Sequence, residues 1–439
     1  MQRKTLHKQY KKLGISAVRR IGFSFFAVIL IGSILLSLPM SHSVHSTSSY
    51  LDHLFVATSA TCVTGLVTHV TASEYTLFGQ IVIILLIQIG GLGVTSVGAI
   101  FILVMQRKFG VYHRLLLMEG LNFNSLSGVV RLVKSVLQLT LVIELVGMIL
   151  SFFTFIQHYP FWEALGISAF HAIASFNNAG FDILGGGQNL IPYRHHYVLL
   201  LTTATLIGLG GIGFVTMLDI YHKRNFKKCS MNTKIVMVTT ASLLIIGTIL
   251  LKLSEGFSWF DAFFHSISAR TAGFSTIPID DFSQAGLLIL MVLMFIGASP
   301  GSTGGGIKTT TLFTIIKTIK SFATNRPVTA FYRRIPAESI IKAFSVFLLA
   351  ISVVFVGTFF ILLIQPELSL QSILFEVIAA TGTVGLSTGI IPSLNIANKL
   401  ILCIIMFIGR LGPFSIACLW AYQTAAPRFN YPEEQITIG

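Results

Sequence analysis

Charge is what this chain has least of. Asp, Glu, Lys and Arg make up 10% of its 439 residues against 54% hydrophobic ones, and the mean hydropathy is +0.81. Soluble domains carry roughly a quarter charged residues. The scarcity excludes an ordinary soluble protein, whose interior could not hide so much apolar surface. Runs such as Ile21 to Met40 and Phe344 to Ile364 carry almost no charge. At about twenty residues, each is long enough to cross hydrocarbon as a helix. Cysteine is scarce too. Cys62, Cys229, Cys403 and Cys418 show no ligand-like spacing, which speaks against a disulfide framework or a metal module. They read as small buried residues. A cleavable leader of the usual kind is not expected either: the N-terminus reads as a basic tail, and its first apolar run is too long for a leader's core.

Acids are fewer than bases, 16 against 30, for a net charge of +14. That excess could suggest nucleic acid, but its distribution argues otherwise. Most of the bases fall in four segments and the C-terminal tail. The first holds Arg3, Lys4, Lys8, Lys11, Lys12, Arg19 and Arg20; the second Arg107, Lys108, Arg114, Arg131 and Lys134. The third holds Lys223, Arg224, Lys227, Lys228 and Lys234. The fourth holds Lys317, Lys320, Arg326, Arg333, Arg334 and Lys342, and the tail adds Arg428. Basic segments alternating with apolar spans follow the positive-inside rule. The expectation is a multi-pass plasma-membrane protein with both termini cytoplasmic and no nucleic-acid partner.

Internal repetition sets the architecture. Four times a long apolar helix is followed by a short helix, a turn with Gly, and a second long apolar helix. The turns are Cys62-Val63-Thr64-Gly65-Leu66, Asn177-Asn178-Ala179-Gly180-Phe181, Arg270-Thr271-Ala272-Gly273-Phe274 and Gly382-Thr383-Val384-Gly385-Leu386. The second long helices share Ile89-Gly90-Gly91-Leu92-Gly93, Leu209-Gly210-Gly211-Ile212-Gly213, Ile296-Gly297-Ala298-Ser299 and Ile408-Gly409-Arg410-Leu411-Gly412. The short helices are placed at Leu51 to Ala60, Phe161 to Phe176, Trp259 to Ala269 and Gln371 to Ala380. At about 1.5 Å per residue they fall short of a bilayer core of about 30 Å, so they enter and return. Irregular backbone at that depth is tolerated only within protein or beside water. The predicted fold is all-α and integral to the membrane. It has four M1-P-M2 repeats, eight transmembrane helices and four re-entrant pore helices, with pseudo-fourfold symmetry about a central cation pore. The segments are 1–20 (basic tail), 21–110, 111–222, 223–322 and 323–424 (the four repeats), and 425–439 (C-terminal tail).

The turns suit a dehydrated monovalent cation, which needs stacked backbone carbonyls in place of its water shell. Gly65, Gly180, Gly273 and Gly385 allow the backbone to turn its carbonyls inward, and the partially negative ends of the short helices favour a cation. Ten acids are predicted on the outer side: Asp52, Glu74, Glu163, Asp182, Glu255, Asp261, Asp280, Asp281, Glu367 and Glu376. An acidic mouth raises local cation concentration. Asp261 and Glu376 also read as residues favouring early turns of their short helices.

With these turns the chain resembles the Trk/Ktr/HKT superfamily of K⁺ transport proteins, and within it the KtrB-type membrane subunits. The resemblance covers essentially the whole chain. It implies a K⁺-selective pore whose filter is Val63, Thr64, Gly65, Asn178, Ala179, Gly180, Thr271, Ala272, Gly273, Thr383, Val384 and Gly385. It also implies a homodimer with one pore per subunit and a KtrA-type cytosolic nucleotide-binding ring. K⁺ is then the transported ion and Na⁺ a candidate activator, and no nucleotide binds to this chain.

The third repeat stands apart. Its second long segment breaks at Ser299, Pro300, Gly301, Ser302, Thr303, Gly304, Gly305 and Gly306, which no stable helix accommodates. The stretch resembles the family's intramembrane gate loop. Gly301 to Thr309 also approaches a phosphate-binding loop, but Ile307 separates Gly306 from Lys308 and no strand precedes it. A packing kink is the other reading. Lys308 and Arg410 are cations placed within spans, a functional signal at that depth. Arg410 reads as holding the loop, repelling ions, or contacting helix-end carbonyls. Glu144 is the single acid well inside a span; pairing with Lys134 or facing a neighbouring subunit are both open.

Two other classes fit the sequence less well. A proton- or sodium-coupled carrier of a small solute usually shows inverted repeats and intramembrane ionisable groups, whereas these repeats share one orientation. A membrane enzyme needs a convergent set of nucleophile, base or metal ligands. His171 and His265 have no partners at ligand spacing and read as hydrogen-bonded core residues, so no catalytic role is expected.

Overall fold

The computed structural model describes residues 2–43, 46–93, 96, 129–412, 432 and 434. Arg107, Lys108, Arg114, Cys418 and Arg428, and the boundary at 110, lie outside them. The chain is almost wholly helical, and four times a long helix is followed by a short one and then a third. The first unit comprises Gln2–Leu36, Tyr50–Cys62 and Leu77–Leu92. The second comprises Val129–Phe155, Phe161–Phe176 and Tyr197–Ile212. The third comprises Met231–Glu255, Trp259–Ser268 and Gln284–Phe295, and the fourth Ala337–Ile364, Leu370–Gly382 and Ile396–Leu411. The short helices match their predicted limits to within about two residues. Their starts are chemically marked: Ser258 and Ser369 accept the amides of Asp261 and Ser372, and the carboxylate of Asp52 accepts the amide of Ser49. Such caps satisfy donors that the first helical turn leaves free.

The spans differ from expectation. Among the described residues four helices are long and apolar enough to cross a membrane: Arg19–Leu36, Val130–Phe155, Met231–Glu255 and Ala337–Ile364. The pair Tyr197–Ile212 and Phe214–Lys223 is bent by 96° and makes a fifth candidate. The third helices run only 16, 16, 12 and 16 residues. At about 1.5 Å per residue even 16 residues reach only about 24 Å. Three of the four ends, all but the third unit's, have a common cause. The last Gly of each Gly-containing motif, Gly93, Gly213 or Gly412, sits at a φ of 84°, 95° or 86°, and this left-handed conformation terminates a right-handed helix.

Packing divides the interior into two large apolar clusters. One gathers Phe55, Leu290, Met294, Phe375, Val384 and Met406 from the third and fourth units and the first short helix. The other gathers Ile83, Phe155, Phe181, Leu199 and Phe274, chiefly from the first two units. Two ion pairs cross between units: Asp52 with Lys399 at 2.8 Å and Arg194 with Asp261 at 2.7 Å. Burial alone would raise the Asp52 carboxyl, but hydrogen bonds from Lys399 and Ser49 prevail and hold it down to about 2. The long helices turn apolar side chains outward, among them Phe23, Leu141, Leu253 and Phe355. A two-residue hairpin, Thr329–Ala330 with Arg333–Arg334, follows the helix Thr309–Thr324.

Candidate functional site

Each short helix ends by winding backwards. Val63, Asn178, Thr271 and Thr383 have φ of 58°, 58°, 84° and 51°, and two residues on Gly65, Gly180, Gly273 and Gly385 have 93°, 68°, 75° and 92°. The amides of Thr64, Ala179, Gly273 and Val384 return to the carbonyls of Ser59, Ala174, Ser268 and Ala379, as in a Schellman-type helix end. Val63, Thr271 and Thr383 are β-branched, for which a positive φ is a genuine outlier. Such strain costs about 1–3 kcal/mol per residue and persists only where the surroundings impose it.

The surroundings do impose it, because the four turns close on one another. A Cβ on Gly65 would strike the carbonyl of Ala179; one on Gly180, that of Ala272; one on Gly273, that of Val384; one on Gly385, that of Thr64. Each glycine thus abuts the carbonyl of the next unit, and the fourth returns to the first. The third helices brace this ring. Cβ atoms on Gly90, Gly210 and Gly409 would meet the carbonyls of Thr61, Phe176 and Thr381, the last turns of their own short helices. In the third unit Gly297 instead faces the carbonyl of Gly305.

Above the ring lies a cavity of about 440 Å³ lined by all four turn glycines. Its single carboxylate is Asp182, whose carboxyl is pushed up to about 6 by burial, against the amide of Leu184. The other acids expected at the mouth that have described partners are engaged elsewhere. Asp52 and Asp261 are ion-paired, Glu74 accepts from Ser46, and Glu255 accepts from Ser283 at 2.6 Å. Glu376 is not in an early helical turn but is buried, accepting from Ser387 at 2.7 Å and from the amide of Thr388 at 2.7 Å.

Below the ring runs the stretch 297–308. Ser299, Thr303, Gly304 and Gly305 are buried, while Pro300, Gly301, Ser302 and Gly306 are half-buried. The amides of Ser299 and Thr303 donate to the carbonyls of Gly211 and Gly210 at 3.0 and 3.3 Å. The hydroxyl of Thr303 donates to the carbonyl of Phe176 at 3.2 Å, and the amide of Gly305 to the hydroxyl of Thr383 at 3.0 Å. Side chains on Gly304 and Gly305 would run into Thr271 and Thr383. The loop therefore presses against the undersides of the turns. Lys308 folds onto its own loop, donating to the carbonyls of Gly304 (2.7 Å) and Gly305 (3.2 Å), rather than pointing out as a phosphate-binding lysine would. Arg410 bonds the carbonyls of Thr303, Gly90 and Gly91. It thus touches both the loop and the end of the first unit's third helix.

Asn178 lies 3.3 Å from Thr271 Oγ1; with its amide oxygen toward that hydroxyl, its nitrogen donates to the carbonyls of Ser175 and Ile207. Glu144 does not pair with Lys134, which is exposed; its carboxylate accepts from Asn177 and Gln88. Nothing in the sequence links either to Glu144, since both are uncharged and distant along the chain, although Asn177 stands in the second turn. His171 and His265 are buried, bonded to Thr203 at 2.8 Å and to Ser275 at 3.1 Å. Among the described residues no group of three or more His, Cys, Asp or Glu could hold a metal ion.

The family model described as cation transport protein, TrkH, matches residues 17–237 and 230–429. The chain belongs to the TrkH cation transport protein family. Full-length relatives agree. The potassium/sodium uptake protein NtpJ of Enterococcus hirae is 35% identical, over 99% of this chain and all of that protein. The Ktr system potassium uptake protein B is 35% identical in Bacillus subtilis, over 95% of this chain and 96% of that one. Its Vibrio alginolyticus counterpart is 33% identical, over 96% and 94%. Family members also share the fold at greater distance. The crystal structure of the potassium transporter TrkH from Vibrio parahaemolyticus superposes with a TM-score of 0.70, at 19% identity, covering 90% of this chain and 84% of that one.

Proposed function

We propose that this chain is the pore-forming subunit of a Ktr-type K⁺ uptake system in the plasma membrane. The carrying observation is the closed ring in which each turn glycine abuts the next unit's carbonyl. Four carbonyls gathered by strained backbone can replace part of the hydration shell of a monovalent cation. Val63, Thr64, Gly65 and their counterparts Asn178 to Gly180, Thr271 to Gly273 and Thr383 to Gly385 form the filter. The four units act as M1-P-M2 repeats, spanning 21–110, 111–222, 223–322 and 323–424, with the short helices re-entrant about a pseudo-fourfold axis. The third helices complete their spans beyond the glycine break, as the Phe214–Lys223 and Thr309–Thr324 helices suggest. The loop from Ser299 to Gly306, with Lys308 and Arg410, is the gate.

Basic segments around Arg107, Lys223 and Arg333 put both termini and a positive surface in the cytoplasm. That surface suits a KtrA-type nucleotide-binding ring, and the Ktr names of the relatives support a system of several components. The reading includes a homodimer in lipid. The Enterococcus relative's name pairs potassium with sodium, which supports testing Na⁺ as an activator. The decisive experiment is K⁺ uptake by a transport-deficient cell expressing this chain, with and without the ring protein. Growth at limiting K⁺ with selective uptake is expected; uptake of a labelled organic solute with no K⁺ flux would overturn the reading.

A further inference from the structure

Behind the second turn three side chains close a triangle. Asn177 Nδ2 shares its two hydrogens among Gln88 Oε1 at 2.8 Å, Glu144 Oε1 at 3.0 Å and the carbonyl of Ile173 at 2.9 Å, and Gln88 Nε2 donates to Glu144 Oε2 at 3.2 Å. The three come from a long helix, a filter turn and another unit's third helix. Glu144 is 6% and Asn177 0% exposed. Asn177 immediately precedes Asn178-Ala179-Gly180 and packs on Gly91, where a Cβ would meet its amide.

The triangle needs a group that only accepts. Asn177 turns the same nitrogen to both partners, so the other two must each offer it an oxygen. Gln88 then has only its nitrogen left for Glu144. A carboxylate accepts both donations, whereas an amide at 144 sets nitrogen against nitrogen along one edge. A buried donor left without an acceptor is penalised far more than a formed bond contributes.

The triangle also touches the gate. The carbonyl of Phe176, next to Asn177, accepts from Thr303 at 3.2 Å, and those of Gly90 and Gly91 accept from Arg410. We propose that Glu144 is a positioning residue, whose carboxylate fixes the second filter turn from behind and, through that turn and Gly91, the seat of the gate loop. The inference rests on the pore reading above.

The test is uptake of labelled K⁺ and Na⁺ in vesicles, at equal protein per membrane, by wild type, Glu144→Gln, Glu144→Asp, Asn177→Ala and the double variant Glu144→Gln/Asn177→Ala. Glu144→Gln is expected to lower the K⁺-to-Na⁺ ratio about three- to tenfold, with Glu144→Asp between it and wild type. In the Asn177→Ala background, where the shared donor is gone, Glu144→Gln should change the ratio no further. A wild-type ratio in Glu144→Gln overturns the proposal, and so does an equal loss in both backgrounds. If Glu144→Gln fails to reach the membrane, Gln88→Leu decides: a reduced ratio supports the triangle and an unchanged one sinks it. Wild-type vesicles that take up no K⁺ would instead refute the pore reading, so the two failures are distinguishable.

Discussion

The third helices of the second and third units both stop near their Gly-containing motif, but differently. In the second, Gly213 alone breaks the helix, which resumes at Phe214 after a 96° bend. In the third, the helix ends at Phe295 and the next begins only at Thr309, with the buried loop between them. One glycine is therefore enough to redirect a helix, and a kink does not explain the long glycine-rich stretch. What the loop adds is contact with its neighbours, at Gly210, Phe176, Thr383 and Arg410.

The largest effect should come from removing that difference. Deleting Ser302 to Gly305 is expected to raise K⁺ flux about tenfold, equivalent to about 1.4 kcal/mol in the barrier, and to weaken dependence on the ring partner. Arg410→Ala should act in the same direction, and the two changes should be non-additive. A folded, selective deletion protein no faster than wild type would reduce the loop to a packing element after all.

Next comes the ring itself. Gly65→Ser or Gly273→Ser places a Cβ against the carbonyl of Ala179 or Val384 at a left-handed φ. K⁺ preference over Na⁺ should fall several-fold, by roughly 1 kcal/mol or more, in Na⁺ competition assays. Unchanged competition in both variants would remove these turns from the filter. The second unit's bend offers a matching change that reaches the loop instead of the ring. Gly213→Ala, at φ 95° and with its Cβ against the carbonyl of Pro300, should lower thermal stability by about 1–2 kcal/mol and raise flux by displacing the loop, while leaving the ion ratio near wild type. A shifted ratio there would mean that bend and ring share a role.

The smallest effect is predicted at the outer cavity. The Asp182 carboxyl, raised to about 6, is charged above that pH and neutral below it. Apparent K⁺ affinity should therefore decline by no more than a few-fold as external pH falls through about 6. Asp182→Asn should resemble the acid state at every pH. A pH profile that survives this substitution assigns the effect to another group.

The turns and short helices were legible in the sequence because local chemistry sets them: a capping residue, an apolar run too short to span, and a glycine at a fixed offset. The ends of the third helices were not. In membrane helices Gly-Gly-Leu-Gly also serves close packing, and nothing local says which glycine will turn left-handed. Glu144 was visible as an anomaly, but its partners could not be named because they are neutral and lie 56 and 33 residues away. How many of the predicted outer acids face the cavity was hidden for a related reason. Sequence gives the number of carboxylates, while only folding shows that Lys399 and Arg194 neutralise two of them.

The contact between Gly385 and the carbonyl of Thr64 has a consequence in time. The first and last turns of the ring are neighbours in space but among the most distant parts of the chain in order of synthesis. At about 5–20 residues per second, on the order of 20–60 s separates the emergence of one from the other. Throughout that interval the first short helix has no Lys399 for Asp52 and no fourth wall for Gly65. Lengthening so long a loop adds little further entropic cost to its closure, so the delay is a matter of order rather than stability. Until its final unit is made the chain therefore lacks the segment that closes the ring, and a chain stopped before residue 385 cannot make that last contact.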